Sequence, residues 1–202
     1  MLQYQTVDSS TLELLRKLQK IPDLSELRLV GGTSLALQLG HRKSIDLDLF
    51  GEINFEAYDI IPELNKIGKV TSIKRSKNIN IFLIDGIKVD FVNYPYKWLE
   101  QPLIEDSLIL ATKKDIVAMK LAAVTGRGTK KDFIDLFFLL KEFSLSKMLD
   151  LYLEKYYDGS EFLVLKSLTY FADADNEPIP FMFEKIEWEN VKEMIKQEVA
   201  KY

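Results

Sequence analysis

Apolar residues follow two different periods along this chain, and the change of period divides it into two parts. In the first part, alternating or short continuous apolar runs predict β-strands at 27–30, 45–50, 70–75, 79–84 and 87–92. Helical spacing in the same part predicts helices over 10–20, 31–40 and 55–67. From Ser107 onward the pattern is helical, and it predicts helices over 113–124, 130–143, 146–157, 160–171 and 188–200. The chain is therefore predicted to be α+β, with a mixed β-sheet and flanking helices over 1–108 and an α-helical domain over 109–202.

Local signals indicate where several of these elements begin and turn. Asp85-Gly86 stands between two apolar runs and favours a two-residue hairpin turn. Ser10 and Glu13 have the spacing of a capping box, in which side chains bond the free N–H groups of a first helical turn. Related cap signatures occur at Thr112 with Asp115 and at Thr129 with Asp132.

Composition and charge narrow the picture mainly by exclusion. The 202 residues are 47% hydrophobic, which is enough for one large or two small cores, and no apolar run has the length of a membrane span. The first twenty residues lack the pattern of a signal peptide, so a cytoplasmic location is expected. The chain has no cysteine and a single histidine, so any metal must be held mainly by oxygen. A net charge of -4 argues against extensive coating by nucleic acid, so a nucleic-acid surface would have to be a local basic groove.

The alternating strand before residue 51 carries the most chemical information. Asp46 and Asp48 alternate with Ile45, Leu47 and Leu49. Side chains two apart on a strand lie on one face, roughly 6.6 Å apart along the backbone, so the aliphatic residues are predicted to enter the core and the two carboxylates to project together. Neighbouring carboxylates repel unless a proton or a cation relieves them, and Mg²⁺ is commonly held by one or two carboxylates and by substrate phosphates.

A glycine corner precedes this strand. Gly31 and Gly32 allow a tight turn and a close approach to a ligand, and the helix that follows offers free N–H groups to an anion. Taken separately, an Asp-x-Asp strand is often only a solvated face, and Gly-Gly before a helix is often only a turn. Their combination indicates a site for a metal and a phosphate.

Further charged residues extend the candidate site. Asp90 lies between Val89 and Phe91, on a strand that could lie beside the Asp46-Asp48 strand and supply a third carboxylate. Lys120, in the middle of a largely apolar helix, either reaches solvent along its stem or serves as a fixed cation beside a triphosphate. Asp132 has both a capping and a functional interpretation, and Asp135 shares its helix face. Two basic groups are candidates for contact with an acceptor, namely Lys74, Arg75 and Lys77, and Arg127, Lys130 and Lys131.

The order strand, Gly-Gly-Thr-Ser, helix and Asp-x-Asp strand resembles the first motif of the nucleotidyltransferase superfamily that includes DNA polymerase beta. The run GGTSLALQLGHRKSIDLDLF is similar to the AbiEii-type nucleotidyltransferases, the toxin half of bacterial type IV toxin-antitoxin pairs. That family continues with a third acid, a helix of the form K-x-x-A-M-K-L-x-A and the motif R-x-x-x-K-D-x-x-D-L. The matching residues here are Lys113, Met119, Lys120, Leu121, Arg127, Lys131, Asp132, Asp135 and Leu136. The resemblance covers roughly residues 27 to 140.

The resemblance implies a nucleotidyltransferase-like fold, a helical domain that completes the active site, and transfer of a nucleotide from a nucleoside triphosphate to an acceptor hydroxyl. It implies Mg²⁺, or Mn²⁺, on Asp46 and Asp48, with Asp90 as the third acid, together with a tRNA acceptor and a cognate antitoxin. The lack of a membrane-spanning apolar run predicts no membrane partner. The candidate catalytic residues are Asp46, Asp48, Asp90, Lys120 and one acid of the pair Asp132 and Asp135, and the resemblance leaves open which of the two acts. The candidate nucleotide-binding residues are Gly31, Gly32, Thr33, Ser34, Arg42, Ser44 and Lys120. The alternatives are a metal-dependent phosphohydrolase or nuclease, which the same acids could serve, and a catalytically silent nucleotide-binding module.

Overall fold

The alternating part of the chain folds into a seven-stranded mixed sheet with the strand order β3-β4-β5-β2-β1-β7-β6. In the computed structural model, which describes residues 1–202 apart from the side chain of Ala57, the strands are β1 Arg28–Leu29, β2 Leu47–Gly51, β3 Val70–Lys74, β4 Ile79–Ile84, β5 Ile87–Asn93, β6 Leu103–Glu105 and β7 Leu108–Leu110. The β2–β5 and β1–β7 pairs are parallel, and the other neighbouring pairs are antiparallel. The predicted α+β fold with a mixed sheet is confirmed.

Nine α-helices lie within the described residues, three before the last strand and six after it. The first three are α1 Ser9–Leu18, α2 Gly31–Leu39 and α3 Ala57–Asn65. The others are α4 Lys113–Gly126, α5 Lys130–Leu139, α6 Leu145–Lys155, α7 Glu161–Leu168, α8 Ala172–Asp175 and α9 Trp188–Lys201. Two short 3₁₀ helices, Tyr4–Thr6 and Pro22–Leu24, flank α1.

The chain forms two compact units. The first unit contains the sheet and α1 to α3, and it comprises Met1–Gly40, Ser44–Pro95 and Gln101–Ala111. Its core joins buried residues of the strands, such as Leu47 and Phe91, to the apolar stripe of α1. The second unit contains α4 to α9, and it comprises His41–Lys43, Tyr96–Glu100 and Thr112–Tyr202. The segment His41–Lys43 thus belongs to the second unit, although the residues on both sides of it in the sequence belong to the first.

Turn and cap chemistry explains several boundaries. Asp85 and Gly86 have φ angles of 50° and 82° and join Ile84 to Ile87, which confirms the predicted hairpin. Thr112 caps α4 by accepting the N–H of Asp115, and Thr129 forms a capping box with Asp132 at the start of α5. Both of these predicted caps are confirmed.

Three sequence-based expectations are wrong. Ile45 is 58% exposed rather than buried, because β2 begins at Leu47 and the alternation does not extend into the irregular segment before it. The pattern is not wholly helical after Ser107, since residues 108–110 form β7, which pairs with β6 through a turn at Asp106 and Ser107. The capping box predicted for Ser10 and Glu13 does not form, because α1 begins at Ser9 and its N-cap is Asp8.

Candidate active site

The carboxylates of the first unit lie on two neighbouring parallel strands. β2 pairs with β5 in a register that sets Asp48 opposite Asp90. Leu47, Leu49, Val89 and Phe91 on the same strands are fully buried. Because successive side chains on a strand point to opposite faces, Asp48 and Asp90 share the face that points away from this core. The strand adjacency predicted for Asp90 is therefore present.

The glycine corner and the Asp48 carboxylate lie in close contact. Gly31 has a φ of +67°, and a Cβ atom at this position would lie 2.5 Å from Oδ2 of Asp48. Any other residue would therefore have both a strained backbone and a clash with the carboxylate. The backbone N–H of Val30 donates to the carbonyl oxygen of Asp48 at 2.8 Å. These contacts fix the start of α2 against β2.

Thr33 ties the segment before β2 to α2. Its hydroxyl lies 2.8 Å from Oγ of Ser44 and donates to the carbonyl oxygen of Asp46. Thr33 and Ser34 are buried, and Ser34 Oγ accepts Nε2 of Gln38 at 3.1 Å. The hydroxyl groups of this corner therefore shape the backbone around the carboxylates, and their contact with phosphate stays a prediction.

Asp90 has a counter-ion that the sequence-based reasoning missed. Nζ of Lys88 lies 2.6 Å from each carboxylate oxygen of Asp90. The Lys88 side chain is 39% exposed, and that of Asp90 is 16% exposed. The spacing of two residues on one strand, which places both side chains on one face, was a signal that could have revealed this pair.

The three predicted metal ligands are not arranged as a ready-made site. In the part of the chain that the structure describes, no group of three or more His, Cys, Asp or Glu side chains could hold a metal ion. The donor set nevertheless fits a hard divalent cation, because Asp48 and Asp90 face the same side of the sheet and Gly31 leaves space for the Asp48 carboxylate. Asp46 is half-buried and lies one residue before β2.

In the second unit, Asp135 is the centre of a buried ionic cluster. Its Oδ1 accepts Nε2 of His41 at 2.8 Å and Nε of Arg42 at 2.7 Å. Its Oδ2 accepts Nη2 of Arg42 at 2.9 Å and lies 2.6 Å from Nζ of Lys120. A carboxylate offers about four acceptor sites, so these four donors saturate Asp135. Through Asp135, the segment that contains His41 and Arg42 is fastened to α5 and α4.

Asp132 extends the cluster to the start of α5. Its Oδ1 accepts Nζ of Lys120 at 2.8 Å, and its Oδ2 accepts the Thr129 hydroxyl at 2.7 Å. Nε of Arg127 lies 3.6 Å from the same Oδ2 atom. Asp132 thus completes the capping box and binds the cation at the same time.

The charges of the cluster reinforce one another. Burial alone would lower the pKa of Lys120, but the carboxylates of Asp135 and Asp132 hold that pKa above its ordinary value. Burial would raise the pKa of Asp135, yet Arg42 and Lys120 hold it well below its usual range. Lys120 also outweighs the effect of burial at Asp132, so the pKa of that carboxyl is lowered. All three groups are therefore charged at neutral pH.

These contacts change the interpretation of two predicted site residues. Lys120 is 6% exposed, so the alternative in which its stem carries the charge to solvent is wrong. Arg42, predicted to bind nucleotide, is 2% exposed and bound to Asp135 through two nitrogen atoms. His41 had no predicted role beyond excluding a histidine metal site, and no local pattern indicated its contact with Asp135.

A second buried ion pair supports the helical unit. Nζ of Lys155 lies 2.7 Å from Oδ1 of Asp115, and both side chains are 0% exposed. Asp115 also accepts the N–H of Leu99 at 2.9 Å, and Lys155 donates to the carbonyl oxygen of Lys97 at 2.8 Å. This pair holds the segment around residue 98 to α4 and α6. It was missed because the sequence indicated only a capping role for Asp115.

The predicted site residues thus form two sets, one in each unit. In the first unit, contacts or strand pairing connect Gly31 with Asp48, Asp48 with Asp90, and Thr33 with Ser44 and Asp46. In the second unit, contacts connect Arg42, Lys120, Asp132 and Asp135.

Two solved structures share this fold. The chain is similar to MenT4, a nucleotidyltransferase toxin of Mycobacterium tuberculosis, with a TM-score of 0.61 and 16% identity over 96% of this chain and 83% of that one. It is also similar to JHP933 of Helicobacter pylori, with a TM-score of 0.58 and 13% identity over 96% of this chain and 92% of that one. At these identities the likeness shows a shared fold, which is that of nucleotidyltransferases.

The sequence comparison defines the family. The model of the family described as "Nucleotidyl transferase AbiEii toxin, Type IV TA system" matches residues 13–201. The chain is also 38% identical over 198 residues to "Uncharacterized protein aq_aa25" of Aquifex aeolicus, covering 94% of each chain. This chain belongs to the AbiEii family of nucleotidyltransferase toxins. It is an enzyme that uses a nucleotide substrate, and the family implies an antitoxin partner. Among the helices that the structure describes, none is long and apolar enough to cross a membrane.

Proposed function

We propose that this enzyme transfers a nucleotide from a nucleoside triphosphate to a hydroxyl group of a tRNA acceptor, and that the transfer depends on Mg²⁺, which Mn²⁺ can replace. The observation that carries the proposal is the parallel register of Asp48 and Asp90, with the Asp48 carboxylate against Gly31. Carboxylates on one sheet face beside a glycine corner suit a hard cation that also binds phosphate oxygens.

Asp46, Asp48 and Asp90 would hold the cation. A bound divalent cation orients the triphosphate and stabilises the negative charge that develops on its oxygens. Because Lys88 neutralises Asp90 in the structure, we propose that its ammonium group leaves Asp90 when the cation binds. The backbone N–H groups of Gly31 and Gly32, at the start of α2, are proposed to contact phosphate.

The proposed reaction is a displacement at phosphorus. The acceptor hydroxyl oxygen forms a bond to the α-phosphorus, the bond from that phosphorus to the bridging oxygen breaks, and pyrophosphate leaves. The hydroxyl proton passes to a base or to water. Lys120 is proposed to supply positive charge for the departing pyrophosphate, in addition to its contacts with the two carboxylates.

The two acids of α5 are proposed to have different tasks. Asp135 already accepts four donors and is fully buried, so it has no remaining capacity for a substrate proton. We therefore assign it a positioning role, in which it orients Lys120 and Arg42. Asp132 is buried as well, but it lies beside Arg127, whose side chain is 73% exposed, so we propose that it acts beside the substrate by orienting Lys120 and Arg127.

Exposed basic side chains support an RNA acceptor. Arg127 and Lys131 are exposed close to the start of α5. Lys130, predicted as part of the same basic group, is buried, and its Nζ donates to backbone carbonyl oxygens of Asp175 and Glu177. The basic surface is therefore smaller than the sequence predicts.

The experiment is to incubate the enzyme with each α-labelled nucleoside triphosphate, Mg²⁺ and purified tRNA, and to follow both label transfer and pyrophosphate release. We expect label on tRNA, with pyrophosphate release that requires tRNA. Asp48→Asn should lose transfer, whereas Asp150→Asn, an exposed carboxylate on α6, should retain it. Release of pyrophosphate with water alone would indicate a hydrolase, and label on protein would contradict the RNA acceptor.

A further inference from the structure

The second unit contains an open pocket beside the buried ionic cluster. The last turn of α4, the loop into α5, α7 and the residues that follow α7 line it. Its volume is about 470 Å³. Sites for small molecules usually have volumes of about 300 to 1,000 Å³. The pocket is therefore large enough for a nucleotide.

The side chains around this pocket suit an anionic ligand with a flat ring. Arg127 and Lys166 line it and are exposed, so two cations are available to a phosphate group. Tyr170 also lines it, and 58% of this residue is accessible. An aromatic side chain beside cations is the combination that binds single-stranded nucleic acid, because bases stack on the ring while the phosphates meet positive charge.

Polar groups that can accept hydrogen bonds also line the pocket. The hydroxyls of Thr125 and Thr169 donate to the backbone carbonyl oxygens of Ala122 and Lys166, so their oxygen atoms remain able to accept. Asp173 also lines the pocket and leaves one net positive charge with Arg127 and Lys166. A carboxylate and hydroxyl oxygens can accept hydrogen bonds from the amino groups of a base or from ribose hydroxyls, which an inorganic phosphate lacks.

Arg127 connects this pocket to the candidate active site. It lines the pocket, and its Nε lies 3.6 Å from Oδ2 of Asp132, the acid that binds Lys120. A ligand phosphate that bound Arg127 would therefore compete with the carboxylate of Asp132 for the same guanidinium group. Because of the contact between Arg127 and Asp132, the pocket is connected to the candidate active site and is not an isolated depression of the surface.

We infer that the pocket binds one nucleotide of the RNA acceptor, with its phosphate on Arg127 and Lys166 and its base on Tyr170. The inference rests on the proposed function, because it names the pocket as the binding site for the RNA acceptor of that reaction. A free nucleotide has the same chemistry, so the experiment compares the two sources.

The test measures the affinity of a short single-stranded RNA and of a nucleoside monophosphate by calorimetry. Tyr170→Ala should weaken RNA binding by about 5- to 150-fold, the loss of one base–aromatic stack. Tyr170→Phe should bind like the parent, because it keeps the ring. Tyr157→Ala removes a tyrosine that is 91% exposed elsewhere in the second unit, and it should have no effect.

The charge contribution is tested by salt dependence. Lys166→Gln should reduce the slope of log affinity against log salt by about 0.7, the value for one phosphate contact with a single strand. Lys147→Gln, an exposed lysine on α6, should leave the slope unchanged. Unchanged RNA affinity in Tyr170→Ala and Lys166→Gln overturns the inference, as does an effect confined to the free nucleotide.

A transfer assay separates this inference from the proposed function. If the parent labels tRNA and both variants keep the parental KM for tRNA, the pocket assignment is wrong and the function stands. If the parent labels no RNA while the two variants lose RNA affinity as expected, the proposed reaction is wrong and the pocket stands only as a binding site for RNA. All variants are compared for melting temperature, which should stay near that of the parent because the altered side chains are exposed.

Discussion

The acidic residues of the two units have opposite relations to their surroundings. In the first unit, Asp48 is half-buried, and Asp90 is paired with a lysine that is 39% exposed. In the second unit, Asp132 and Asp135 are nearly inaccessible and bind donors from several elements. An accessible carboxylate with one flexible partner can exchange that partner for a ligand. A saturated, buried carboxylate chiefly fixes the geometry of its neighbours.

The largest effect expected from this contrast is on stability. Asp135→Asn should lower the free energy of unfolding by about 3–5 kcal/mol, because it leaves Arg42 and Lys120 buried without their shared counter-ion. Asp48→Asn should stay within about 1 kcal/mol of the parent, because Asp48 is only half-buried, unlike the carboxylates of the buried ionic cluster. Urea unfolding of both variants measures the difference. Equal stability of the two variants would contradict the distinction between the exchangeable carboxylates of the first unit and the buried carboxylates of the second.

The pH dependence of unfolding sharpens the same comparison. The pKa values of Asp132 and Asp135 are lowered in the folded state, so their contribution to stability is present above the unfolded value, roughly 3.9, and is lost as the pH falls below it. The pKa of Lys120 is raised, so its contribution is present below roughly 10.4 and is lost as the pH rises through the higher folded value. The stability gap between the parent and Asp135→Asn should therefore narrow below about pH 4. A gap that stayed constant down to pH 2 would exclude the carboxylate charge as its cause.

A glycine comparison tests the first unit with a matched control. Gly31→Ala and Gly86→Ala both place a side chain at positive φ, which costs about 1–2 kcal/mol. A new Cβ at Gly31 meets the Asp48 carboxylate at 2.5 Å, whereas the space around Gly86 is open. Gly31→Ala should therefore also weaken Mn²⁺ binding by about 10-fold or more, as loss of the support around a metal ligand does. Equal Mn²⁺ affinities in the two variants would show that Gly31 does not support the metal site.

The smallest expected effect concerns Lys88. Lys88→Met removes the cation that occupies Asp90, so Mn²⁺ affinity should increase. Because the pair is partly exposed and worth about 1 kcal/mol or less, the gain should be at most about fivefold. Lys74→Met, on the edge strand β3, provides the control for a general loss of positive charge. A decrease in affinity would mean that Lys88 supports the site.

The parts that the sequence predicts correctly depend on local periodicity. Alternation with a period of two placed Asp48 and Asp90 on the face opposite the core, and the hairpin at Asp85-Gly86 followed from turn chemistry. Alternation holds only where a strand continues, which is why Ile45 is exposed. β6 and β7 were missed because each has three residues and their turn contains no glycine.

The ionic cluster could be predicted only in part. The cap at Asp132 is a local signal, and Lys120 in an apolar helix indicated an unusual environment. Three of the four contacts to Asp135, however, come from His41 and Arg42, more than 90 positions earlier in the chain. No spacing rule connects residues at that distance. The separate roles of Asp132 and Asp135 therefore became visible only through their hydrogen-bond partners.

The most direct test of the central claim is a calorimetric titration of Mn²⁺ in the presence of a non-hydrolysable nucleoside triphosphate analogue. The parent should bind the cation, and the variant with Asp46→Asn and Asp48→Asn should not, while its melting temperature without metal stays near that of the parent. A double variant that binds Mn²⁺ with parental affinity would contradict the assignment of the metal site to these carboxylates.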